Sequence, residues 1–219
     1  MTATPVRDGL RWLATKRVTL GVVALLLVVF GFELVVLAAY GIAGWQYIFL
    51  ASLDPSPGWV MAPFAHRTVT HLLTTLVVIV LYGALVESWL ADSTVFAFYV
   101  LAGYASTAAQ LLAYLGGAPG VGTLGASGAA LGLVTLYVVR MVGRAVWAPD
   151  TVTAVDGVFT GSGGLIVAMV LANDFVPGIV VAGGTAPLGH LGGMLAGVGY
   201  GLVVVRAEQQ SAGAPRSEV

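Results

Sequence analysis

Two side chains in this 219-residue sequence have the chemistry of a nucleophile and its base: Ser127, in Gly125-Ala126-Ser127-Gly128, and His190, in Gly189-His190-Leu191-Gly192-Gly193. A serine hydroxyl attacks a carbonyl only when a neighbouring base accepts its proton, and an imidazole that titrates near neutrality is the usual base. The two residues lie far apart along the chain, so only the fold can bring them together. Other polar residues stand in equally apolar surroundings: Glu33, His71, Thr74, Thr75, Ser106, Thr107 and Gln110. In lipid such groups must find partners, which makes each a functional candidate. The serine motif is not Gly-x-Ser-x-Gly, because Ala129 takes its last position, so the nucleophile elbow of a soluble α/β-hydrolase fold is excluded.

The elements that must position these residues are membrane helices. Hydrophobic residues make up 58% of the chain and charged residues only 9%, against roughly 25% charged in soluble domains. Nine Lys and Arg against ten Asp and Glu leave a net charge of -1, with no excess of basic residues to bind nucleic acid. The apolar content excludes a disordered chain. Cysteine is absent, which removes disulfides, thiol nucleophiles and thiolate metal sites. Six apolar runs approach the ~20 residues needed to cross the hydrocarbon: 18–40, 68–90, 94–115, 124–146, 158–173 and 188–205. The fifth is diluted by Gly161, Gly163 and Gly164. The expected fold is all-α, a polytopic membrane protein with a six-helix bundle over 18–206. A cytoplasmic segment, 1–17, precedes it and a disordered cytoplasmic tail, 207–219, follows.

Arg7, Arg11, Lys16 and Arg17 precede the first run, Arg140 and Arg144 close the fourth, and Arg206 and Arg216 follow the sixth. The positive-inside rule then puts both termini in the cytoplasm, with the cell membrane as the expected location. Arg67, beside His66, is the exception on the outer side. Spans four and six both begin outside, which sets Ser127 and His190 at similar shallow depth. Gly189, Gly193, Gly197 and Gly201 recur every fourth residue, and four residues advance a helix by about 400°, so they form one smooth stripe. Gly125, Gly128, Ala129 and Gly132 give span four a comparable face. Two such faces predict close approach of the spans. The first outer connection, 41–65, carries Trp45, Tyr47, Phe49, Trp59 and Phe64, which either cover the site from the outer leaflet or form an aromatic belt.

Glu33 is expected to be protonated or hydrogen-bonded, with a proton relay as the alternative, and Glu87 to hold the connection between spans two and three. His66 and His71 do not read as a metal site. Five residues turn a helix by about 500°, leaving the rings about 140° apart, and the Glu of a His-Glu-x-x-His motif is missing.

Taken together these residues resemble the rhomboid intramembrane serine proteases, over about Trp59 to Gly201. Gly125-Ala126-Ser127-Gly128 is similar to the family's nucleophile motif, and His190 with Gly193 and Gly197 to its His-xx-Gly-xxx-Gly helix. His66 and His71 match a pair of histidines opening span two. Gly83 with Glu87 matches a Gly-xxx-Glu signature, and Phe98-Tyr99 with Gly103 resembles the next helix. The resemblance implies a Ser127–His190 dyad that hydrolyses peptide bonds in or near transmembrane segments of other proteins. It implies oxyanion and substrate contacts from backbone near Gly125 and Ala126, from His71 and from position 75, with His66 at the mouth of the site. It implies a lateral entrance for the substrate at span five and the stretch from Asp174 to Pro187.

Two positions depart from the family pattern. Thr75 stands where an asparagine is expected and Leu131 where an aromatic ring is common. Asp174 as a third member of the site is set aside, since the family works with a dyad. The expected partners are a transmembrane protein substrate and the lipid bilayer, with no nucleic acid, no cofactor and no metal. The oligomeric state is open. The alternatives are a rhomboid-like protein that binds transmembrane clients without cutting them, and a small transporter using Glu33 and the histidines.

Overall fold

The computed structural model describes residues 5–115, 122–176 and 186–213. Six helices are long and apolar enough to cross a membrane: Arg17–Phe49, Val69–Val86, Asp92–Ala113, Ser127–Trp147, Ala154–Phe175 and Pro187–Gly213, spans one to six in chain order. The protein is an all-α, multi-pass integral membrane protein. Val28, Val35, Leu101 and Val158 point outward from the bundle, as side chains do when the surrounding solvent is hydrocarbon.

Span one runs past the expected end at Tyr40. Its helix bends at Gly41, whose φ of 65° favours glycine, and resumes to Phe49. The outer connection that follows is folded. Ala51–Ser52 pairs antiparallel with Gly122–Thr123, and the short helices Gly58–Met61 and Ala62–Phe64 complete it. Trp45 and Phe49 pack with Val29, Val36 and Ala65, whereas Tyr47 and Trp59 are exposed. The aromatic residues therefore divide between a packed cover and an outward-facing belt.

Thr68 caps span two, its hydroxyl accepting the His71 N–H at 3.1 Å. At the opposite end of that span, Glu87 accepts hydrogen bonds from Val18 N–H (3.0 Å), Thr19 N–H (2.8 Å) and Thr19 Oγ1 (2.7 Å). These are among the N–H groups that a helix start leaves without internal partners. Glu87 thus ties the beginning of span one to the end of span two, rather than holding the connection to span three. Span six lies against span four through Gly193, Gly197 and Gly201, which face Gly128, Gly132, Thr135 and Val139. Thr135 Oγ1 also donates to the Met194 carbonyl at 3.0 Å.

Span five is the least buried of the six, and its glycines Gly161 and Gly164 face open space. Side chains of spans two and four hold it: Tyr82 Oη donates to Phe159 O at 3.0 Å, and Tyr137 Oη to Asp156 Oδ1 at 3.3 Å. Two further features differ from expectation. Pro5–Ala14 forms a separate helix before span one. The tail expected to be disordered from 207 continues as helix to Gly213, because Glu208 pairs with Arg140 (Nε to Oε1 2.8 Å), whose guanidinium lies 4.1 Å over the Trp89 ring. Residues 177–185, most of the expected entrance stretch, and residues 214–219 lie outside the described residues.

Candidate active site

The N-terminal ends of spans two, four and six meet beneath the outer connection. Just before span four the chain turns at Gly125, with φ 130°, and the Gly125 N–H is donated to the Ala62 carbonyl of that connection at 2.8 Å. A Cβ at this position would lie 2.9 Å from His71 Cε1 and 3.5 Å from Ser127 Oγ. Glycine here is what allows the imidazole of span two to come beside the serine. Ser127 is the first helical residue of span four. The first hydrogen bond inside that helix runs from Ala130 N–H to Ala126 O at 3.0 Å. The amides of Ser127, Gly128 and Ala129 therefore have no acceptor within the helix, and they stand at the positive end of its dipole.

Span six approaches from the other side. Its Gly189 N–H, which the helix leaves free, is accepted by Gln110 Oε1 of span three at 3.0 Å. Gly128 of span four is in close contact with Ser106 of span three and with the Gly189 carbonyl. Three backbones thus converge where His190 begins its turn. The outcome is a 3.1 Å hydrogen bond between Ser127 Oγ and His190 Nε2. The second ring nitrogen, His190 Nδ1, is 2.6 Å from Asp174 Oδ2 at the end of span five. That carboxylate is wholly buried, at 0% side-chain exposure against 15% for the histidine, and Asn173 Nδ2 donates to its Oδ1 at 3.2 Å.

His66 and His71 are closer than helical rotation implied, with ring centroids 5.1 Å apart at 64°. Helical rotation does not relate the two rings, because the helix starts at Val69 and His66 precedes it. His66 is buried. Burial first, then the neighbouring His71, push its imidazole down to about 3, with only a small opposing effect from the Phe64 backbone. Its backbone N–H donates to Glu33 Oε1 at 2.8 Å, and Trp45 Nε1–H donates to Glu33 Oε2 at 3.3 Å. Glu33 is therefore a clamp between span one, the outer connection and the entry to span two. Thr75 is buried one turn below His71, and Leu131 is buried on span four.

The family model for the Rhomboid domain matches residues 57–207, more than half of the chain. The chain belongs to the rhomboid family. The matched region takes in spans two to six, and so every residue above except Glu33 and Trp45. No curated protein matches the chain. Within this rhomboid domain the geometry offers a hydroxyl hydrogen-bonded to an imidazole, amides at a helix start with no acceptor in the helix, and a second imidazole alongside. Those are the parts that acyl transfer requires.

Two contributions escaped the sequence reading. Gln110 is an amide inside an apolar run, a signal that it serves a buried backbone group, but nothing pointed to Gly189 as its partner. The other is the reach of Asp174 to His190 Nδ1, which the dyad pattern of the family does not call for, although an acidic residue at the end of an apolar span is itself a signal.

Proposed function

We propose that the protein is an intramembrane serine endopeptidase that cleaves other membrane proteins in or near their transmembrane segments. The observation that carries this reading is the 3.1 Å contact between Ser127 Oγ and His190 Nε2 at the heads of two spans. In the first half-reaction, His190 Nε2 takes the hydroxyl proton while Oγ attacks the scissile carbonyl carbon. The tetrahedral intermediate collapses with cleavage of the C–N bond, and the Nε2 proton passes to the leaving amine. In the second, Nε2 takes a proton from water, the hydroxide attacks the acyl carbon, and the ester to Oγ breaks as the proton returns to it.

Negative charge develops on the carbonyl oxygen in both halves. The free amides at the start of span four and His71 are the donors that would stabilise it. The Gly125 N–H is already donated to Ala62, so its glycine serves by leaving room for His71. Thr75 adds at most a short-reaching hydroxyl. The reaction consumes only water and needs no cofactor. The distribution of cations supports a site toward the outer face of the cell membrane, with both termini cytoplasmic.

The test is reconstitution in proteoliposomes with a model transmembrane substrate, comparing the intact protein with Ser127→Ala and His190→Ala. Cleavage by the intact protein alone is expected. Equal cleavage by either variant refutes the mechanism. A second reading, a rhomboid-like protein that holds transmembrane clients without cutting them, is favoured by Thr75 in place of the family's asparagine. It predicts that intact protein and Ser127→Ala capture the same clients and that neither cleaves.

A further inference from the structure

We infer that Asp174 is a positioning residue for His190, so that the proposed pair works as the chain Ser127–His190–Asp174 rather than as a dyad. The inference rests on the reading of Ser127 and His190 given above. A neutral imidazole carries one N–H and one lone pair. To accept the serine proton, Nε2 must hold the lone pair, and the ring proton must sit on Nδ1. Asp174 Oδ2 lies 2.6 Å from that nitrogen, and the carboxylate side chain is wholly buried, so water does not compete for the contact. An ionised carboxylate only accepts hydrogen bonds. It therefore selects the tautomer in which Nε2 is free for Ser127, and it fixes the ring plane along the line from Asp174 to the hydroxyl. Asn173 Nδ2, at 3.2 Å from Oδ1, steadies the second carboxylate oxygen.

The benefit is larger in the transition state than before it. When the Oγ proton reaches Nε2, the ring becomes an imidazolium facing a buried carboxylate, and the attraction of the pair grows as charge develops. Asp174 itself gains and loses no proton. It comes from span five, the least buried span, whereas Ser127 and His190 belong to spans four and six. The same bond therefore also fastens the outer end of span five to span six. A tie of that kind would hold the helix whether or not it set the tautomer. The experiment has to separate the two roles.

Asp174→Asn keeps the side chain's volume but presents an amide that can donate to Nδ1 and so favour the wrong tautomer. In proteoliposomes the expected result is a kcat lower by at least ~10²-fold, toward the ~10⁴-fold that the same exchange costs in soluble serine proteases. KM and the thermal midpoint should stay close to those of the intact protein. A variant with unchanged kcat, or with a raised KM and lowered midpoint alone, overturns the inference and leaves only a helix tie. The chain has three histidines, so ¹⁵N-imidazole labelling gives three ring systems, assigned by single His→Gln variants. At a pH where the imidazole is neutral, His190 should carry its proton on Nδ1 as a downfield N–H signal that Asp174→Asn removes. A proton on Nε2 in the intact protein, or an unchanged signal in the variant, also overturns it. That spectrum requires no turnover. Failure of the intact protein to cleave would defeat the proposed function, while the tautomer would still decide the role of Asp174.

Discussion

Gly193→Ala adds one methyl group where spans four and six touch, and the structure sets the scale of its effect. A Cβ at position 193 would lie 2.9 Å from Gly128 Cα, with the Gly128 carbonyl closer still. Carbon atoms rest at about 3.5–4.0 Å, and the Gly128 carbonyl carbon would lie 2.5 Å away, so the two helices must part by roughly 1.0–1.5 Å. Neither obstacle is a flexible side chain that can swing away; both are backbone. Gly193 is one turn beyond His190, and Gly128 adjoins Ser127, so the displacement passes almost undiminished to the hydrogen bond between Ser127 and His190. That bond is 3.1 Å long. Lengthened by this amount it leaves the hydrogen-bond range, and a misplacement of about 1 Å costs on the order of 10²-fold in rate.

Stability should respond far less. Overpacking costs ~1–3 kcal/mol, while exchanging Gly for Ala in a helix returns up to ~1 kcal/mol. The internal control is Gly199→Ala on the same helix, where a Cβ meets nothing within 4 Å. The assay is kcat for a model transmembrane substrate in proteoliposomes, with the thermal midpoint recorded alongside. Gly193→Ala should lose about two orders of magnitude in kcat, and Gly199→Ala should match the intact protein. Undiminished kcat in Gly193→Ala would refute the claim that backbone contact sets the distance between serine and histidine.

Four other outcomes follow from the geometry. Thr75→Asn should raise kcat with little change in KM, by less than the ~10²–10³-fold that loss of one oxyanion donor costs elsewhere; an unchanged kcat would place position 75 outside the oxyanion site. Glu33→Ala strands the buried His66 N–H and should destabilise by ~1–3 kcal/mol, whereas Glu33→Gln, which keeps an acceptor for His66 and gives up only the longer bond from the Trp45 indole, should lose less stability and keep its turnover. A proton relay would instead be abolished equally by both. Glu87→Ala should lower the unfolding free energy by ~1–3 kcal/mol through the N–H groups of Val18 and Thr19, leaving kcat of the folded protein unchanged. His66 is neutral when folded, with its imidazole held near 3 against an ordinary 6.5. The unfolded chain then binds more protons across that window, so stability should fall as the pH drops from 6.5 toward 3. Thermal midpoints should show this decline, and His66→Phe should flatten it.

The parts of the fold readable in the sequence were those governed by local rules. Hydrocarbon thickness sets the length of an apolar run, so six spans could be found, and a four-residue glycine repeat can only form a stripe, so the contact between spans four and six followed. Span five was harder because Gly161, Gly163 and Gly164 interrupt its run of large apolar side chains, although its mean hydropathy is no lower than that of spans three, four and six. Its limits, Thr153 with its Asp156 capping box and Phe175, depend on polar residues outside the apolar run. The placement of His66 was misread because a fixed rotation per residue holds only inside a helix, and Thr68 starts the helix after it. The pairing of Glu87 is not legible in the sequence because two of its three donors are backbone amides, which carry no sequence signature. Asp174 needed the path of the chain between spans five and six, which no local pattern supplies.

The buried polar groups of this protein separate by what their lone pairs and protons are used for. Glu87 takes the amides of a helix start, Glu33 an amide and an indole, Gln110 the Gly189 amide and Thr135 donates to carbonyls of spans four and six. Each of these serves at least one backbone group, and a change in its protonation would leave a helix end or a loop unsatisfied. Ser127 and His190 differ. Their partners are side chains that can exchange a proton without disturbing the helices, and Asp174 meets the charge that results. In a medium where every polar group must be paired, a chain of side chains linked only to one another is where a proton can move at least cost to the fold. That property, more than the presence of a serine or a histidine, distinguishes this corner of the bundle from the contacts of Glu87, Glu33, Gln110 and Thr135.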